Sequence, residues 1–181
     1  MGEIEVRHRR GSDMEACTDA LATVHETDRY PAQWPADPRS WLTPRGLIDA
    51  WVAVDGPTVL GHVALTRTGE ALAGDIGLPA EQLLSVARLF SHSGARRLGV
   101  AGALLDTARE AAAADGVRLA LEVEDGGKAA IALYERHGWT YVGSRTDDWT
   151  TADGRPARMR AYLAPAGPTP QPDTERSQDR T

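Results

Sequence analysis

The sequence predicts a mixed α/β (α+β) domain, a mostly antiparallel sheet of six to seven strands flanked by about four helices. Short β-rich runs alternate with amphipathic helical segments along most of the chain. Asp55-Gly56-Pro57 between two such runs indicates an antiparallel hairpin. A strand–helix–strand order over residues 83–123 indicates one central parallel crossover. With 181 residues, the chain suffices for one substantial core.

The first half of the chain predicts a strand, a capped helix, a long loop and the hairpin. Ser12 and Glu15 form an S-x-x-E pattern, which typically caps a helix at its first turn. Residues 26–44 carry four prolines, and a loop of that length in a small domain is usually functional. Thr43 before Pro44 predicts a short helix after this loop. The predicted elements are a strand at 4–6, a helix over 13–25, a short helix from 44, and strands over 51–54 and 59–66.

The second half predicts four strands and two helices. Leucines and alanines at positions 104, 105, 108 and 112 form one apolar helical face, and Gly116 follows as a natural stop. Glu122 lies on the face of its strand opposite Leu119 and Leu121. Residues 67–82 fit no single pattern. The predicted elements are strands over 83–90, 117–123, 139–145 and 158–163, with helices ending near 116 and over 128–137.

Composition excludes several functional classes. The net charge of −6 argues against a nucleic-acid-binding protein. A single cysteine, Cys17, excludes an intramolecular disulfide and leaves no cysteine cluster for a metal. The sequence holds no signal-like segment and no apolar run of membrane-spanning length, so we expect a cytoplasmic protein without membrane association. Residues 1–163 should form the domain, and the proline-rich residues 164–181 a disordered tail.

Two glycines, Gly99 and Gly102, follow a pair of arginines where a loop enters a helix. One interpretation is a tight turn followed by close helix packing. The other is a helix N-terminus kept open so that a phosphate reaches its unpaired amides. The residues fit neither the Walker loop, since Ala103 and Leu104 follow Gly102, nor the G-x-G-x-x-G dinucleotide pattern. Taken alone, this stretch supports both interpretations.

Two sequence motifs, one at the start of this helix and one about thirty residues later, resemble those of a known family. Arg96-Arg97-Leu98-Gly99-Val100-Ala101 resembles the R/Q-x-x-G-x-G/A motif of the GCN5-related N-acetyltransferase (GNAT) family. About thirty residues later, LYERHGW resembles the end of that family's fourth helix and the start of its next strand. The resemblance covers roughly residues 3–163. It implies the fold predicted above, with acetyl-CoA as co-substrate and no metal.

The resemblance also implies where the coenzyme binds. The amides around the arginine motif should hold its pyrophosphate, and the strand before the loop should pair with its pantetheine arm. Many relatives carry an asparagine that contacts CoA where this chain has Gly127. The implied coenzyme-binding residues are Leu89, Phe90, Ser91, Arg96, Arg97, Leu98, Gly99, Val100, Ala101, Gly102, Gly127 and Tyr134.

Tyr134 matches the tyrosine that, in the family, protonates the departing CoA thiolate. The reaction is direct attack of a neutral amine on the thioester, which needs an acid for the sulfur and a base for the amine proton. The other interpretation of Tyr134 is a core aromatic, because its spacing from Ala130 also suits a packed helix face.

The base is less clearly specified. Glu122 is the first candidate, acting directly or through a water, although it could equally be a surface carboxylate paired with Arg118 or Arg88. The further candidates are Glu124, Glu26, Asp28 and His62, of which His62 fits a structural histidine better.

The resemblance implies an acceptor site built from the loops of the late strands and from the loop after the first helix. The aromatic and acidic side chains of the latter suit an amine with an apolar or cationic body, although the tryptophans could instead anchor the loop. The candidate acceptor-binding residues are Glu26, Asp28, Tyr30 and Trp34, with Trp41 nearby. We expect a primary amine of a small molecule as acceptor. The alternatives are a peptide or protein amine, or a catalytically silent CoA-binding domain, and a homodimer is compatible with the sequence.

Overall fold

Seven strands form one mixed sheet in the computed structural model, which describes residues 3–166. The strands are β1 (Glu5–His8), β2 (Leu47–Asp55), β3 (Thr58–Arg67), β4 (Leu83–Ser91), β5 (Arg118–Glu124), β6 (Thr140–Thr150) and β7 (Pro156–Leu163). The α-helices within this range are α1 (Met14–Asp28), α2 (Pro38–Trp41), α3 (Glu70–Ile76), α4 (Val100–Ala114) and α5 (Lys128–Arg136). The predicted fold class is confirmed, with five helices where about four were expected.

The sheet has the order β1-β2-β3-β4-β5-β7-β6, in which β4 and β5 are parallel and the other neighbours antiparallel. Side chains of β5 alternate between two cores, since Leu119 and Leu121 pack with α4 and α5 whereas Ala120 packs with α3. On β2, Val52 and Val54 pack with α1. Helices α4 and α5 therefore cover one face of the sheet, and α1 and α3 the other.

Both predicted helix starts in the first half are wrong. Ser12 does not cap α1, because residues 11–13 form a 3₁₀ turn and both carboxylate oxygens of Asp13 bind Arg7. The helix begins one residue later, at Met14. The short helix precedes Pro44 rather than following it: the Asp37 carboxylate accepts hydrogen bonds from two backbone amides of α2. Asp37 and Thr43, six residues apart, are both residue types that cap helices, and in the structure it is Asp37 that caps α2.

The segment that fits no single pattern, residues 67–82, holds α3, whose apolar face packs on Leu83 and Ala120. The predicted strands of the second half are present, and β6 runs five residues further than residue 145. No helix within residues 3–166 has the length and apolar character needed to cross a membrane.

The predicted boundary at residue 164 lies at the end of the described range. Ala164 is buried, and its backbone N–H donates to the Leu119 carbonyl at 2.9 Å. Residues 167–181, which make up most of the predicted tail, lie outside the described residues, so the disordered tail stays a prediction.

Candidate active site

The centre of the sheet splits between its two parallel strands. β4 and β5 pair at only three positions, the last being Ser85 opposite Ala120. Beyond that point β4 continues to Ser91 beside β3, and β5 continues to Glu124 beside β7. Two strand edges therefore face one another without pairing, and an extended ligand with amide groups can hydrogen-bond to such an edge.

A bulge shapes the β4 side of this opening. Val63 of β3 lies opposite two residues, Arg88 and Leu89, and Arg88 has a φ of +53°. After the bulge, Phe90 is buried and Ser91 pairs with Gly61. Of the three residues implied as pantetheine partners, Leu89 thus lies in the bulge, and Phe90 and Ser91 follow it on the free edge of β4.

A row of unpaired amides lies at the start of α4. The first helical amide with a backbone partner is that of Ala103, which donates to the Gly99 carbonyl at 2.9 Å. Within residues 3–166, five earlier backbone N–H groups have no hydrogen-bond partner: those of Arg97, Gly99, Val100, Ala101 and Gly102. Converging amides at the positive end of a 15-residue helix can bind a phosphate.

Different features of the structure explain the glycines at positions 99 and 102. Gly99 caps α4 at φ +75°, and a Cβ there would meet no atom within 4 Å. Gly102 is buried, and a Cβ there would lie 2.6 Å from Cε1 of His137. Gly99 therefore permits the turn beside open space, whereas Gly102 permits close packing. Whether the Gly102 amide also contacts a ligand stays a prediction.

We expect a Gly102→Ala variant to be less stable by about 1–3 kcal/mol, because the added methyl displaces the His137 ring. Urea unfolding measures this change. Since the backbone amide is retained, CoA affinity should change little. Adding His137→Ala to the variant should restore most of the lost stability, and an unaltered unfolding midpoint in Gly102→Ala would contradict the packing role.

The arginine motif connects the loop to α1. Arg96 forms an ion pair with Asp28, so a predicted coenzyme residue and a predicted acceptor residue are in contact. Arg97 is exposed and has a φ of +64°, a conformation that costs a non-glycine residue energy and is often found at functional sites. Leu98 is 37% exposed. The loop thus presents one guanidinium committed to α1 and one open to solvent.

Gly127 lies at the N-terminus of α5, across the opening. Its amide donates to the Glu124 carbonyl at 2.9 Å, and a Cβ would lie 3.1 Å from that same oxygen. The backbone turn therefore explains the glycine here, and its predicted coenzyme contact stays a prediction.

Tyr134 of α5 has a buried ring and an unbonded hydroxyl. The residue is 7% exposed, and its ring packs against those of Trp139 and Tyr162. Every fully buried side-chain N or O atom within residues 3–166 has a hydrogen-bond partner, yet the Tyr134 hydroxyl has none there, so it must reach solvent. Burial, with a smaller effect from Tyr30, raises the pKa of Tyr134, so the phenol stays protonated at neutral pH.

Tyr30 lies near enough to Tyr134 to influence its titration. Its ring packs edge-on against Trp41, with centroids 5.8 Å apart, and burial raises the pKa of Tyr30 to about 12. The Arg88 guanidinium lies over the Trp41 ring at 4.2 Å. Of the four predicted acceptor residues, Tyr30 is the one that the structure brings toward Tyr134.

Glu122 is exposed on the α3 face of β5, and its ion-pair partner is neither Arg118 nor Arg88. The Arg145 guanidinium instead binds Glu122 together with Asp75 of α3 and Asp147 of β6. Although partial burial opposes it, these carboxylates raise the pKa of Arg145. Because Arg145 occupies Oε2 of Glu122, an amine in direct contact with this carboxylate would have to use Oε1 or displace Arg145.

His62 of β3 is fully buried with both ring nitrogens engaged. Its Nδ1–H donates to the Arg88 carbonyl at 2.9 Å, so Nε2 is the acceptor and takes a hydrogen bond from Arg9 at 3.0 Å. The ring stacks on Phe90. These bonds favour the structural interpretation over a role as base. Burial lowers the pKa of His62 to about 4.

The low pKa of His62 makes stability depend on pH. Between pH 6.5 and 4 the unfolded chain binds this proton and the folded chain does not, so the stabilisation is present above pH 6.5 and is lost as pH falls. At about 1.4 kcal/mol for each pH unit, the wild type should lose about 3 kcal/mol more than His62→Gln between pH 7 and pH 4. Urea unfolding at both pH values measures this, and parallel losses would contradict it.

A cavity of about 500 Å³ separates the long loop from the β6–β7 hairpin. Its lining consists of Ala32, Gln33, Trp149, Thr150 and Ala152. Trp149 is 40% exposed, so an aromatic face is available to a ligand. A cavity of this volume matches a small organic molecule.

The other predicted acceptor residues lie around this loop without lining the cavity. Trp34 packs against the His25 ring with centroids 5.4 Å apart and is 41% exposed. Glu26 is exposed in the last turn of α1, and Asp28 is held by Arg96. Trp149 and Arg145 were not among the predicted site residues. A tryptophan in the late hairpin was a signal for an aromatic contact there. Nothing in the sequence indicated which carboxylates Arg145 would bind.

Comparison with known proteins gives one family. The sequence model of the Acetyltransferase (GNAT) family matches residues 14–139. No curated protein sequence matches the chain. Within residues 3–166, no group of three or more histidine, cysteine or acidic side chains is arranged to hold a metal ion.

Solved structures with the same fold include several acetyltransferases. An N-acetyltransferase from Staphylococcus aureus Mu50 is 17% identical with a TM-score of 0.69, over 90% of this chain and 98% of that one. Arabidopsis thaliana NAA60 in complex with acetyl-CoA is 20% identical with a TM-score of 0.68, over 89% and 97%. A ribosomal-protein-alanine N-acetyltransferase from Brucella melitensis is 23% identical with a TM-score of 0.66, over 88% and 98%.

Proposed function

The chain belongs to the GNAT family of acetyltransferases, and on that premise we propose that it transfers the acetyl group of acetyl-CoA to a primary amine of a small molecule. The observation that carries the proposal is the split between β4 and β5, with the unpaired amides of α4 at one side and the free Tyr134 hydroxyl within the site. These features supply a phosphate seat, an edge for an amide-bearing arm and an acid.

In the proposed binding mode, the pyrophosphate of the coenzyme contacts the start of α4 and its pantetheine arm contacts β4. The pyrophosphate accepts hydrogen bonds from the amides of residues 99–102, and Arg97 adds a positive charge from solvent. The pantetheine amides pair with the free edge of β4 after the bulge. When the phosphate binds, Arg96 contacts it either in place of Asp28 or together with Asp28.

In the proposed reaction the neutral amine attacks the thioester carbonyl and the C–S bond breaks. The Tyr134 hydroxyl donates its proton to the departing sulfur, and the phenolate regains a proton from solvent. The amine loses its extra proton through a water to Glu122, the first of the candidate bases. Because Arg145 holds this carboxylate, the water route fits the geometry better than direct contact.

The proposed acceptor site is the cavity between the long loop and the β6–β7 hairpin. Its volume of about 500 Å³ favours a small molecule over a protein chain. Tyr30 and Trp149 would contact an apolar or cationic body, with Asp28 and Glu26 at the outer side of the loop. The ribosomal-protein-alanine enzyme shares the fold at 23% identity, and a likeness at this level is evidence for the fold alone.

We expect Trp149→Ala to raise the KM for the acceptor amine about tenfold, because the cavity loses its largest apolar face. The KM for acetyl-CoA should not change. Tyr141→Ala is the matched control, since Tyr141 is an exposed aromatic on the same strand, outside the lining of this cavity. Equal effects of the two substitutions on the acceptor KM would place the acceptor elsewhere.

Thiol release from acetyl-CoA with a panel of small amines and N-terminal peptides tests the function itself. The proposal predicts turnover with small amines and little with peptides. Preferential turnover of peptides would show that the acceptor is a peptide amine and not a small molecule. Calorimetric binding of acetyl-CoA without turnover of any amine would instead favour a silent coenzyme-binding domain.

A further inference from the structure

An open cleft of about 430 Å³ lies beside the start of α1 and beside α2, and its lining includes no residue of β4 or β5. Three arginines line it: Arg9 after β1, Arg10 before α1, and Arg39 of α2. Ser40 and Thr43 complete its polar side. We call this group of residues the arginine cleft.

The guanidinium groups of the arginine cleft have no carboxylate in direct contact. Within residues 3–166, none of its three guanidinium groups forms an ion pair with a carboxylate, in a chain whose net charge is −6. The Asp13 and Asp37 carboxylates lie near enough to act on the charges of Arg10 and Arg39, but their direct hydrogen bonds go to groups other than these guanidiniums. Asp13 binds the Arg7 guanidinium with both oxygens, and Asp37 caps α2 while accepting from the Ser40 hydroxyl at 2.6 Å.

Arg9 is partly buried and held in one orientation. It donates to the Leu42 carbonyl at 2.5 Å, to His62 Nε2 at 3.0 Å and more weakly to the Thr43 hydroxyl at 3.4 Å. All three partners are neutral, since His62 carries its proton on Nδ1. A fixed guanidinium that keeps its full charge attracts an oxyanion more strongly than a mobile surface arginine does.

None of the residues lining the arginine cleft is among those proposed to hold acetyl-CoA or the acceptor. The link between the two regions is His62, which contacts Arg9 through Nε2 and the Arg88 carbonyl in the β4 bulge through Nδ1. Two hydrogen bonds through His62 therefore connect the cleft to the bulge, although no residue lining the cleft takes part in the proposed reaction.

We propose that the arginine cleft is a second binding site, for a small molecule that carries a carboxylate or a phosphate. Arg9 provides the oriented charge at its inner end, and the exposed Arg10 and Arg39 close on the anion from the two sides. The Thr43 hydroxyl is available as a further donor. The cleft volume of about 430 Å³ leaves room for a molecular body beyond the anionic group.

Calorimetric titration of the full chain with inorganic phosphate, and separately with citrate, tests this proposal at constant ionic strength. The Gly99→Glu background closes the other predicted phosphate seat, so the result does not depend on CoA binding. Two charge-matched double variants are compared: Arg10→Gln with Arg39→Gln in the cleft, and Arg109→Gln with Arg155→Gln on the remaining surface. All four arginines keep a solvent-accessible side chain, so both variants should fold.

The proposal predicts saturable binding of at least one probe. The cleft variant should weaken it about tenfold or more, which is the loss of one charge-assisted hydrogen bond or more, and the control variant should leave it unchanged. Binding of phosphate alone would assign a phosphate ligand, and binding of citrate alone a carboxylate. Absence of saturable binding for both probes, or equal weakening in the two variants, would overturn the proposal.

Discussion

Replacing Tyr134 with phenylalanine is expected to lower kcat about 100-fold or more while leaving acetyl-CoA affinity nearly unchanged. The hydroxyl is the proposed acid for the departing sulfur, and a positioned general acid contributes a factor of this size or larger. Because this hydroxyl has no hydrogen-bond partner within residues 3–166, its removal should not reduce the free energy of unfolding. Steady-state kinetics with a reactive amine, together with urea unfolding, measure both quantities.

Tyr162→Phe is the matched control for this prediction. Tyr162 belongs to the same aromatic cluster, but it is fully buried and its hydroxyl donates to Glu135 at 3.0 Å. Its loss should cost about 1 kcal/mol of stability and leave kcat nearly unaltered. If Tyr134→Phe instead reduced stability and retained full kcat, Tyr134 would be a core aromatic and the acid would have to be sought elsewhere.

The second large effect concerns the start of α4. We expect Gly99→Glu to weaken CoA binding about 100-fold or more, because a carboxylate would stand where the pyrophosphate is proposed to sit. Two like charges about 4 Å apart near a protein surface repel with several kcal/mol. Titration calorimetry with CoA measures the change.

Gly116→Glu separates this effect from backbone strain. Gly116 follows the other end of α4, with a φ of +71° against +75° at Gly99, and a Cβ at either position would meet no atom within 4 Å. Both variants should therefore lose similar stability, about 1–3 kcal/mol. Only Gly99→Glu should lose affinity for CoA, and equal affinity in the two variants would rule out the pyrophosphate seat.

The sequence was most informative where periodicity and family motif agreed. The strand–helix–strand unit of β4, α4 and β5 was predicted closely, since its apolar faces pack on one continuous core. The first half was less predictable, because Asp37 and Thr43 both offer a cap and only the packing of Leu42 and Trp41 decides between them. Local signals of similar strength are resolved by tertiary contacts.

The part of the site that consists of backbone amides was predictable, whereas the contacts between long side chains were less so. The arginine motif specified the free amides of α4 because a helix start leaves them unpaired in any context. The partner of Glu122 was not predictable, since Arg145 lies more than twenty residues away and reaches it only across the sheet. Gly102 was predicted as part of the phosphate-binding site, and its close approach to the His137 ring gives a second, packing reason for a glycine.

The unpaired edge of β4 was implied by the family resemblance, whereas residue periodicity alone gave no sign of the split in the sheet. The patterns of β4 and β5 both predict continuous strands, whereas in the structure their pairing ends at Ser85 and a bulge follows at Arg88 and Leu89. A bulge is a choice of backbone register, which residue types constrain only weakly.

A crystal structure of the full chain with CoA and an acceptor amine tests the central claim most directly. The account predicts that the pyrophosphate lies on the amides of residues 99–102 and the pantetheine arm lies between β4 and β5. The sulfur should then lie within hydrogen-bond reach of the Tyr134 hydroxyl. A pyrophosphate bound in the arginine cleft, or a sulfur remote from Tyr134, would contradict it.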